Sequence, residues 1–148
     1  MSRCARPWGS PRGSAMTKIA DSGLIIAALD KTDGYHAWAA KVLESESPPW
    51  RVCEAVLAEI AASVGTPEPV LEMLQLGDLE IGFSLDDNAP EVLALIRKYR
   101  DQGMDLADAC VVRMSELLED SVVYTVDKTD FSVYRRHTRQ RISCVFPS

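Results

Sequence analysis

The stretch IADSGLIIAAL, residues 19–29, carries the first indication of the fold. A short apolar lead ends at Asp21, and apolar residues then return at helical spacing. An aspartate in this place can cap the free backbone N–H groups of the helix that follows. It can also end a β-strand and face the cleft at the carboxyl edge of a sheet, where open α/β folds bind ligands. The choice depends on whether other segments supply partners for Asp21.

Short apolar segments alternate with amphipathic helices along the rest of the chain. Strands are predicted at 17–20, 78–85, 121–127 and 141–147, and helices at 22–29, 33–46, 52–65, 68–77, 88–103 and 104–120. This alternation is typical of parallel sheets, whose strands are joined by helical crossovers and covered on both faces. The sequence therefore predicts an α/β fold, a three-layer α/β/α sandwich with a central, mainly parallel sheet.

The composition is that of one globular domain and excludes several classes of protein. With 148 residues, 47% of them apolar, the chain can form a core without disulfides. No apolar stretch approaches the length needed to cross a bilayer, so no membrane association is expected. The four cysteines are scattered without a C-x-x-C pair and there are only two histidines, which argues against a zinc site. Reduced thiols and a cytoplasmic location are expected.

The first fifteen residues, MSRCARPWGSPRGSA, differ in composition from the rest. They are rich in Gly, Pro, Ser and Arg, which favours disorder, and they lack the apolar core of a signal peptide. We expect 1–15 to be a disordered extension, non-native or a leader, ahead of a single domain at 16–148. Three of the 16 basic residues lie in this extension, which leaves 13 basic against 22 acidic residues in the domain. Such a domain repels nucleic acid unless cations or local basic patches intervene.

Four carboxylates occupy positions where a carboxylate is costly. Asp21 and Asp127 each end a predicted strand, while Glu59 and Asp108 lie among apolar neighbours on predicted helices. Burying an unpaired anion is very unfavourable, and no lysine or arginine stands at a matching position in these segments. A divalent cation resolves the repulsion, and oxygen ligands select Mg²⁺ or Mn²⁺ over zinc. Asp108 taken alone is equally well explained as a helix-start residue capped by Asp105.

Four blocks of the sequence resemble successive blocks of PIN-domain proteins, most closely the VapC-type ribonuclease toxins of bacterial toxin–antitoxin pairs. The blocks are ADSGLIIAALDKTDGYHAWA, CEAVLAEIAA, MDLADACVVRMSE and VVYTVDKTDF. The resemblance runs from about residue 18 to Pro147 and places the family's four metal-binding acids on Asp21, Glu59, Asp108 and Asp127.

Three further acids need separate treatment under this resemblance. Glu54 is a rival for the second metal-binding acid, but it lies near a helix start, where an exposed acid is favoured by the helix dipole in any case. Asp130 matches the family's frequent acid before Phe131 and is expected to assist. Asp105 stands where the family often has serine or glycine, so its role is open.

The resemblance implies a metal-dependent endoribonuclease that cleaves single-stranded RNA, most simply the toxin of a toxin–antitoxin pair. A bound cation polarises the scissile phosphate and lowers the pKa of a bound water, so no histidine base is required. Glu59 would orient or deprotonate that water. Ser22 and Thr125 are expected to hydrogen-bond the carboxylates. The expected ligands of Mg²⁺ or Mn²⁺, direct or through water, are Asp21, Asp108 and Asp127. A cognate antitoxin and a second copy of the chain, in a homodimer, are the expected protein partners.

The densest basic run is YRRHTRQR, residues 134–141. Arg135, Arg136 and Arg139 are candidates for phosphate contacts beside the acidic pocket. The same run is also compatible with a solvated loop or with a surface for an acidic partner.

Other classes of protein fit less well. Haloacid-dehalogenase-type phosphohydrolases need a second acid two residues after the first, and here that position is Gly23. No P-loop motif is present. Two alternatives stay open: a PIN-domain RNA-processing nuclease without a toxin role, and a non-catalytic PIN module that binds RNA or a partner. The second is expected to have lost at least one core acid.

Overall fold

The computed structural model describes residues 16–148, so the expected N-terminal extension, residues 1–15, lies outside the described residues. Within this range the strands are β1 (Thr17–Ala20), β2 (Trp50–Val52), β3 (Leu79–Ile81), β4 (Ser121–Tyr124), β5 (Arg135–Arg136), β6 (Gln140–Arg141) and β7 (Cys144–Val145). The helices are α1 (Ser22–Leu29), α2 (His36–Ser45), α3 (Glu54–Val64), α4 (Glu68–Leu76), α5 (Leu85–Lys98), α6 (Leu106–Leu117) and α7 (Lys128–Val133). A 3₁₀ turn at Arg100–Gln102 joins α5 to α6.

In the described part of the chain, β1 is the central strand of a five-stranded sheet with the order β3-β2-β1-β4-β7. Every neighbouring pair in this sheet is parallel. Its inner strands are short and their central apolar residues are shielded from water on both faces; Ile19, Val52 and Val123 have no exposed surface. That burial is the pattern of a parallel sheet between two helical layers. The predicted three-layer α/β/α fold is confirmed.

The order of the strands reverses at β1. Strands β2 and β3 extend the sheet on one side of β1, whereas β4 and β7 extend it on the other. Ala20, the last residue of β1, is in register with Tyr124, the last residue of β4. Such a reversal opens a crevice outside the carboxyl ends of the two strands. The residues directly after β1 and β4 therefore meet at this crevice.

The sequence-based prediction of a helix over 52–65 is wrong at its start. Trp50–Val52 forms the strand β2, and α3 begins only at Glu54. Three residues are too few to show the period of a strand. Trp50 is fixed by tertiary packing, with its ring edge-on to that of Tyr124 at a centroid distance of 4.8 Å.

The end of the chain also differs from the single strand predicted at 141–147. Asp127 accepts a hydrogen bond from the Asp130 N–H and starts α7. After α7, β5 and β6 form an antiparallel hairpin, whose turn uses positive φ angles of 46° at His137 and 75° at Thr138. Only Cys144–Val145 then joins the main sheet. Backbone conformations of this kind carry no hydrophobic period, so the pattern of the sequence does not reveal them.

Another difference lies at the start of α5, which begins at Leu85 instead of the predicted residue 88. The Ser84 side chain accepts a hydrogen bond from the Asp87 N–H and caps the helix there.

A buried ion pair links β2 to β3. Arg51 and Glu80 are register partners, and Arg51 Nε lies 3.3 Å from Glu80 Oε1, with the two side chains 8% and 18% exposed. Removing one partner leaves the other charge with poor solvation. Arg51→Ala is therefore expected to lower the free energy of unfolding by about 2 kcal/mol, less than for a fully buried pair because water reaches Glu80.

Chemical denaturation measures this loss. The control is the paired replacement of Arg51 by Met and Glu80 by Leu, which leaves no unpaired charge and is expected to recover most of the stability. An equal loss in the single and the paired variant would show that the charge left behind is not the cause.

The cysteines of the described residues are unpaired. Cys53 and Cys110 are buried and Cys144 is half-buried, while Cys4 lies outside the described residues. Over residues 16–148 no helix has the length and apolar character that a bilayer span requires.

Candidate active site

Asp21 lies between β1 and α1, and the structure gives it both roles considered for it. Its Oδ1 accepts a hydrogen bond from the Ser22 N–H at 2.9 Å, which caps α1. Its Oδ2 accepts a hydrogen bond from the Thr125 hydroxyl at 2.7 Å. The Asp21 N–H donates to the Tyr124 carbonyl at 3.0 Å, and the residue is only 6% exposed. Asp21 is therefore held in one orientation at the crevice between β1 and β4.

Thr125 connects Asp21 to Asp127. Its fully buried hydroxyl donates to Asp21 and accepts a hydrogen bond from the Asp127 N–H at 3.0 Å. Asp127 in turn accepts from the Asp130 N–H through Oδ1 at 3.0 Å. The two aspartates that follow β1 and β4 are thus fixed relative to each other by one hydroxyl group.

Glu59, in the middle of α3, is joined to the same site. The Ser22 hydroxyl donates to Glu59 Oε1 at 2.8 Å, so Ser22 binds both acids, Asp21 through its N–H and Glu59 through its hydroxyl. Glu54 is exposed at the first turn of α3 and lines an apolar cavity of about 300 Å³. Of the two rivals for the second acid, the structure brings Glu59 to Asp21.

The start of α6 supplies two further carboxylates. Asp105 caps the helix by accepting a hydrogen bond from the Asp108 N–H at 2.8 Å. Asp108 Oδ2 accepts a hydrogen bond from the Tyr134 hydroxyl at 3.0 Å. The charge of Asp105 also helps to raise the pKa of Glu59, so the two carboxylates lie near each other. Asp105, whose role the sequence left open, therefore lies between α6 and α3 within the acidic group.

Burial and mutual repulsion dominate the electrostatics of these acids. Burial raises the pKa of Asp21, with Asp127 and Asp105 adding to the increase, although the hydrogen bonds from Thr125 and Ser22 oppose it. Burial, assisted by the charges of Asp105 and Asp21, raises the pKa of Asp108 to about 7. The acids therefore disfavour one another's charged forms.

Glu59 and Asp130 follow the same trend. Burial raises the pKa of Glu59, and the nearby charges of Asp105 and Asp21 raise it further. The pKa of Asp130 is also raised, first by desolvation and then by the neighbouring Asp127. For each of these four acids, burial is the largest cause of the raised pKa, and the charge of another carboxylate adds to it.

No cation of the described chain relieves this repulsion. The ion pairs of residues 16–148 involve other acids, and none joins a Lys, Arg or His to Asp21, Glu59, Asp108 or Asp127. The donor set consists of carboxylate oxygens, which suits Mg²⁺ or Mn²⁺. Within the same range, no three His, Cys, Asp or Glu side chains already form a metal-binding cage. The donor chemistry fits a hard cation, and water ligands or small side-chain movements would have to complete its coordination.

Gly23 permits the close approach of α1 to the loop after β4. A Cβ atom at this position would lie 2.5 Å from Cγ2 of Val126, which is far inside van der Waals contact. Gly23→Ala is expected to lower the free energy of unfolding by about 1–2 kcal/mol through overpacking. Because Gly23 lies two residues after Asp21 and Val126 directly precedes Asp127, the variant is also expected to reduce any activity of that site.

The matched control is Gly34→Ala, since no atom lies within 4 Å of a Cβ built there. Its stability in chemical denaturation is expected to stay within about 0.5 kcal/mol of the parent. Gly23→Ala and Gly34→Ala variants of equal stability would contradict the steric argument.

The basic hairpin lies along α6 and leads away from the acids. Arg135 Nη1 donates to the carbonyls of Ser132, Val133 and Tyr134 at the end of α7. Arg136 pairs with Glu119 at 3.4 Å. Because a helix rises about 1.5 Å per residue, the end of α6 at Leu117 lies roughly 14 Å along its axis from Asp108, and Glu119 follows that end.

The Arg136 guanidinium therefore lies near the end of α6 that is opposite Asp108, and the Arg135 guanidinium caps α7. Arg139 is exposed. Contact of these three arginines with RNA stays a prediction, with Arg139 the least engaged of them.

Tyr134 is the site residue that the sequence did not indicate. It lies 26 residues after Asp108, the residue it contacts, in a segment with no regular period. It is the first residue of the basic run 134–141, in which the sequence indicates the arginines as candidates and not the tyrosine. Only the fold of α7 and the hairpin shows that its ring turns back toward α6.

Comparison with known proteins bears on the whole chain. No family model matches it. Among curated proteins, it is similar to Ribonuclease VapC26 of Mycobacterium tuberculosis (strain ATCC 25618 / H37Rv), with 26% identity over 123 residues that cover 79% of this chain and 91% of the relative. The similarity to VapC-type PIN ribonucleases predicted from the sequence is therefore confirmed.

Proposed function

We propose that this VapC-like chain is an endoribonuclease that depends on Mg²⁺ or Mn²⁺, cleaves single-stranded RNA and acts as the toxin of a toxin–antitoxin pair. The similarity to a ribonuclease over most of both chains supports the ribonuclease activity. The substrate strandedness, the metal and the toxin role are the finer parts of the proposal.

The observation that carries the proposal is the environment of Asp21. A carboxylate that is 6% exposed, with a pKa raised by burial and by other carboxylates, is costly for the fold when it is ionised. It lies at the point where the order of the strands reverses, which is the usual ligand position in this class of sheet. A buried carboxylate whose pKa is raised by burial and by other carboxylates, in a crevice, is typical of a functional site.

The acids divide into two roles. Asp21, Asp108 and Asp127 would hold the cation, because they lie at the ends of three elements that converge on the crevice. When bound, the cation would polarise the scissile phosphate of the RNA and lower the pKa of a water molecule that it binds. Glu59 would orient or accept a proton from the attacking water, since its Oε1 is already fixed by the Ser22 hydroxyl.

The neutral groups keep these acids in place. The Thr125 and Ser22 hydroxyls each donate to a carboxylate, at 2.7 and 2.8 Å respectively. Asp130 and Asp105 add negative charge around the site, and this charge would attract a cation.

Further parts of the proposal concern the partners and the location. We expect a cognate antitoxin that neutralises the nuclease, a homodimer in solution, and a cytoplasmic site of action. Co-expression with the product of a small neighbouring gene tests the first, and light scattering of the purified chain tests the second.

The experiment that tests the proposed activity is digestion of a mixed RNA pool by the purified chain. Single-stranded RNA, duplex RNA and single-stranded DNA are each incubated with Mg²⁺, with Mn²⁺ or with EDTA. We expect cleavage of the single-stranded RNA alone, with either metal and not with EDTA. Cleavage that persists in EDTA would contradict the metal requirement, and no cleavage by folded, metal-loaded protein would contradict the nuclease activity.

A further inference from the structure

Tyr134 stands where α7 ends and the basic hairpin begins. Its ring is fully buried and makes edge-on contacts with Tyr99, at a centroid distance of 5.1 Å, and with Phe131, at 5.2 Å. Its backbone N–H donates to the Asp130 carbonyl at 3.0 Å, which closes the last turn of α7. Both ends of the residue are thus fixed, and the direction of its hydroxyl follows from the packing.

That hydroxyl donates to Asp108 Oδ2 at 3.0 Å. Within residues 16–148 it is the side-chain hydrogen-bond donor to the Asp108 carboxylate, which the Asp105 backbone N–H also approaches at the start of α6. Asp21, by comparison, accepts from both the Ser22 N–H and the Thr125 hydroxyl. Tyr134 has the same relation to Asp108 that Thr125 has to Asp21, since each is a side-chain donor from another segment that sets the direction of one carboxylate oxygen.

The position of Tyr134 also relates Asp108 to Asp127. Asp127 caps the first turn of α7, and Tyr134 caps the last. This six-residue helix therefore carries one acid of the site at its start, and at its end it carries the phenol that holds another acid. A shift of α7 would move both carboxylates together.

We infer that Tyr134 is a positioning residue, which holds the Asp108 carboxylate through Oδ2 and leaves Oδ1 available for a cation, at a spacing from Asp127 that α7 sets. The inference rests on the proposed function. Packing alone does not account for the hydroxyl, because a phenylalanine ring fits the same contacts with Tyr99 and Phe131. A donor that fixes one oxygen of a metal-binding carboxylate typically changes metal affinity by 10- to 100-fold when it is removed.

The test compares Tyr134→Phe with Tyr99→Phe. Tyr99 is the matched control because its buried ring contacts Tyr134 and its hydroxyl accepts the Arg135 N–H at 2.8 Å, away from any carboxylate. Binding of Mn²⁺ to each metal-free protein is measured by calorimetry, and RNA cleavage is measured against Mn²⁺ concentration.

We expect Tyr134→Phe to weaken Mn²⁺ binding by about tenfold, and to lower kcat at subsaturating Mn²⁺ while KM for RNA is unchanged. Excess Mn²⁺ should restore most of the rate. Tyr99→Phe should bind Mn²⁺ as the parent does. Equal Mn²⁺ affinity in the Tyr134→Phe variant and the parent would overturn the positioning role and leave the nuclease intact, whereas a parent that binds no Mn²⁺ would overturn the proposed function itself.

A second measurement needs no variant and covers the case in which Tyr134→Phe does not fold. In wild-type protein with isotope-labelled tyrosines, titration with Mg²⁺ is expected to shift the ring resonances of Tyr134, and to leave those of the exposed Tyr35 in place. A Tyr134 ring that does not respond while Mg²⁺ binds would overturn the inference.

Discussion

Asp21→Asn is expected to abolish metal-dependent RNA cleavage, with a loss of at least about 100-fold. The substitution keeps the shape of the side chain, and the amide oxygen can still accept the hydrogen bond from the Ser22 N–H, while the amide NH2 group faces the Thr125 hydroxyl in place of Oδ2. It removes the negative charge that a cation requires, and removal of a direct ligand is expected to exceed the 10- to 100-fold effect of a group that only supports one. Initial rates at saturating Mg²⁺ or Mn²⁺ measure the loss.

The same variant is expected to be more stable than the parent without metal. Burial raises the pKa of Asp21 in the fold, so its ionised form costs stability at neutral pH, and the neutral amide does not. Glu54→Gln is the matched control, since Glu54 is an exposed acid on α3; its activity should stay within about twofold of the parent, as for surface changes in general. Full activity in Asp21→Asn would contradict the assigned role.

The second large effect is a dependence of metal-free stability on pH. In the folded protein the pKa of Asp108 is raised to about 7, and the pKa values of Asp21 and Glu59 are raised as well, by burial first. A raised folded pKa contributes stability below the unfolded pKa and loses it as the pH rises through the folded pKa. The metal-free protein should therefore be more stable at about pH 5.5 than at about pH 8.

Asp108 alone is expected to account for about 1 kcal/mol of this difference, because its raised pKa corresponds to about 2 kcal/mol between these pH values and its partial exposure to solvent reduces that figure. Chemical denaturation at the two pH values measures it. Saturating Mn²⁺ should recover most of the loss at the higher pH, since a ligand that binds only the folded state adds about 2.7 kcal/mol at a concentration of 100 times its Kd.

Asp108→Asn is the control for the pH effect, and it should flatten the decline. If stability rises with pH between these values and Asp108→Asn changes nothing, the acids are not buried against one another as described.

The sequence predicted the parts of the site that local pattern encodes. Asp21 ends a short apolar strand just before an amphipathic helix, so its place at the carboxyl edge follows from that pattern. Asp127 follows the β-branched strand β4 in the same way. Glu59 and Asp108 stand out because they interrupt apolar helix faces.

Tertiary contacts fixed the features that the sequence did not predict. β2 is a three-residue strand, which has no measurable period, and it is recognisable only from its pairing with β1 and β3. Tyr134 reaches Asp108 because α7 and the hairpin fold back over α6. The position of Arg136 beside Glu119 depends on the same fold of α7 and the hairpin. The sequence of the basic run therefore could not show near which end of α6 Arg136 lies.

The alternative of a non-catalytic PIN module receives no support from the acids. Such a module is expected to have lost at least one of them, yet Asp21, Glu59, Asp108 and Asp127 are all present, in segments that converge on one crevice. The RNA-processing alternative differs only in its target and partner, so it depends on identifying the natural substrate.

Anomalous X-ray diffraction from crystals of the protein soaked in Mn²⁺ would locate a bound cation. We expect an anomalous peak in the crevice between β1 and β4, about 2.0–2.3 Å from a carboxylate oxygen or from a water that such an oxygen holds. Asp21, Asp108 and Asp127 would be the side chains around it, and crystals of Asp21→Asn would lack the peak. A Mn²⁺ peak elsewhere on the molecule, with the crevice empty in well-ordered crystals, would contradict the claim that these carboxylates form a metal site.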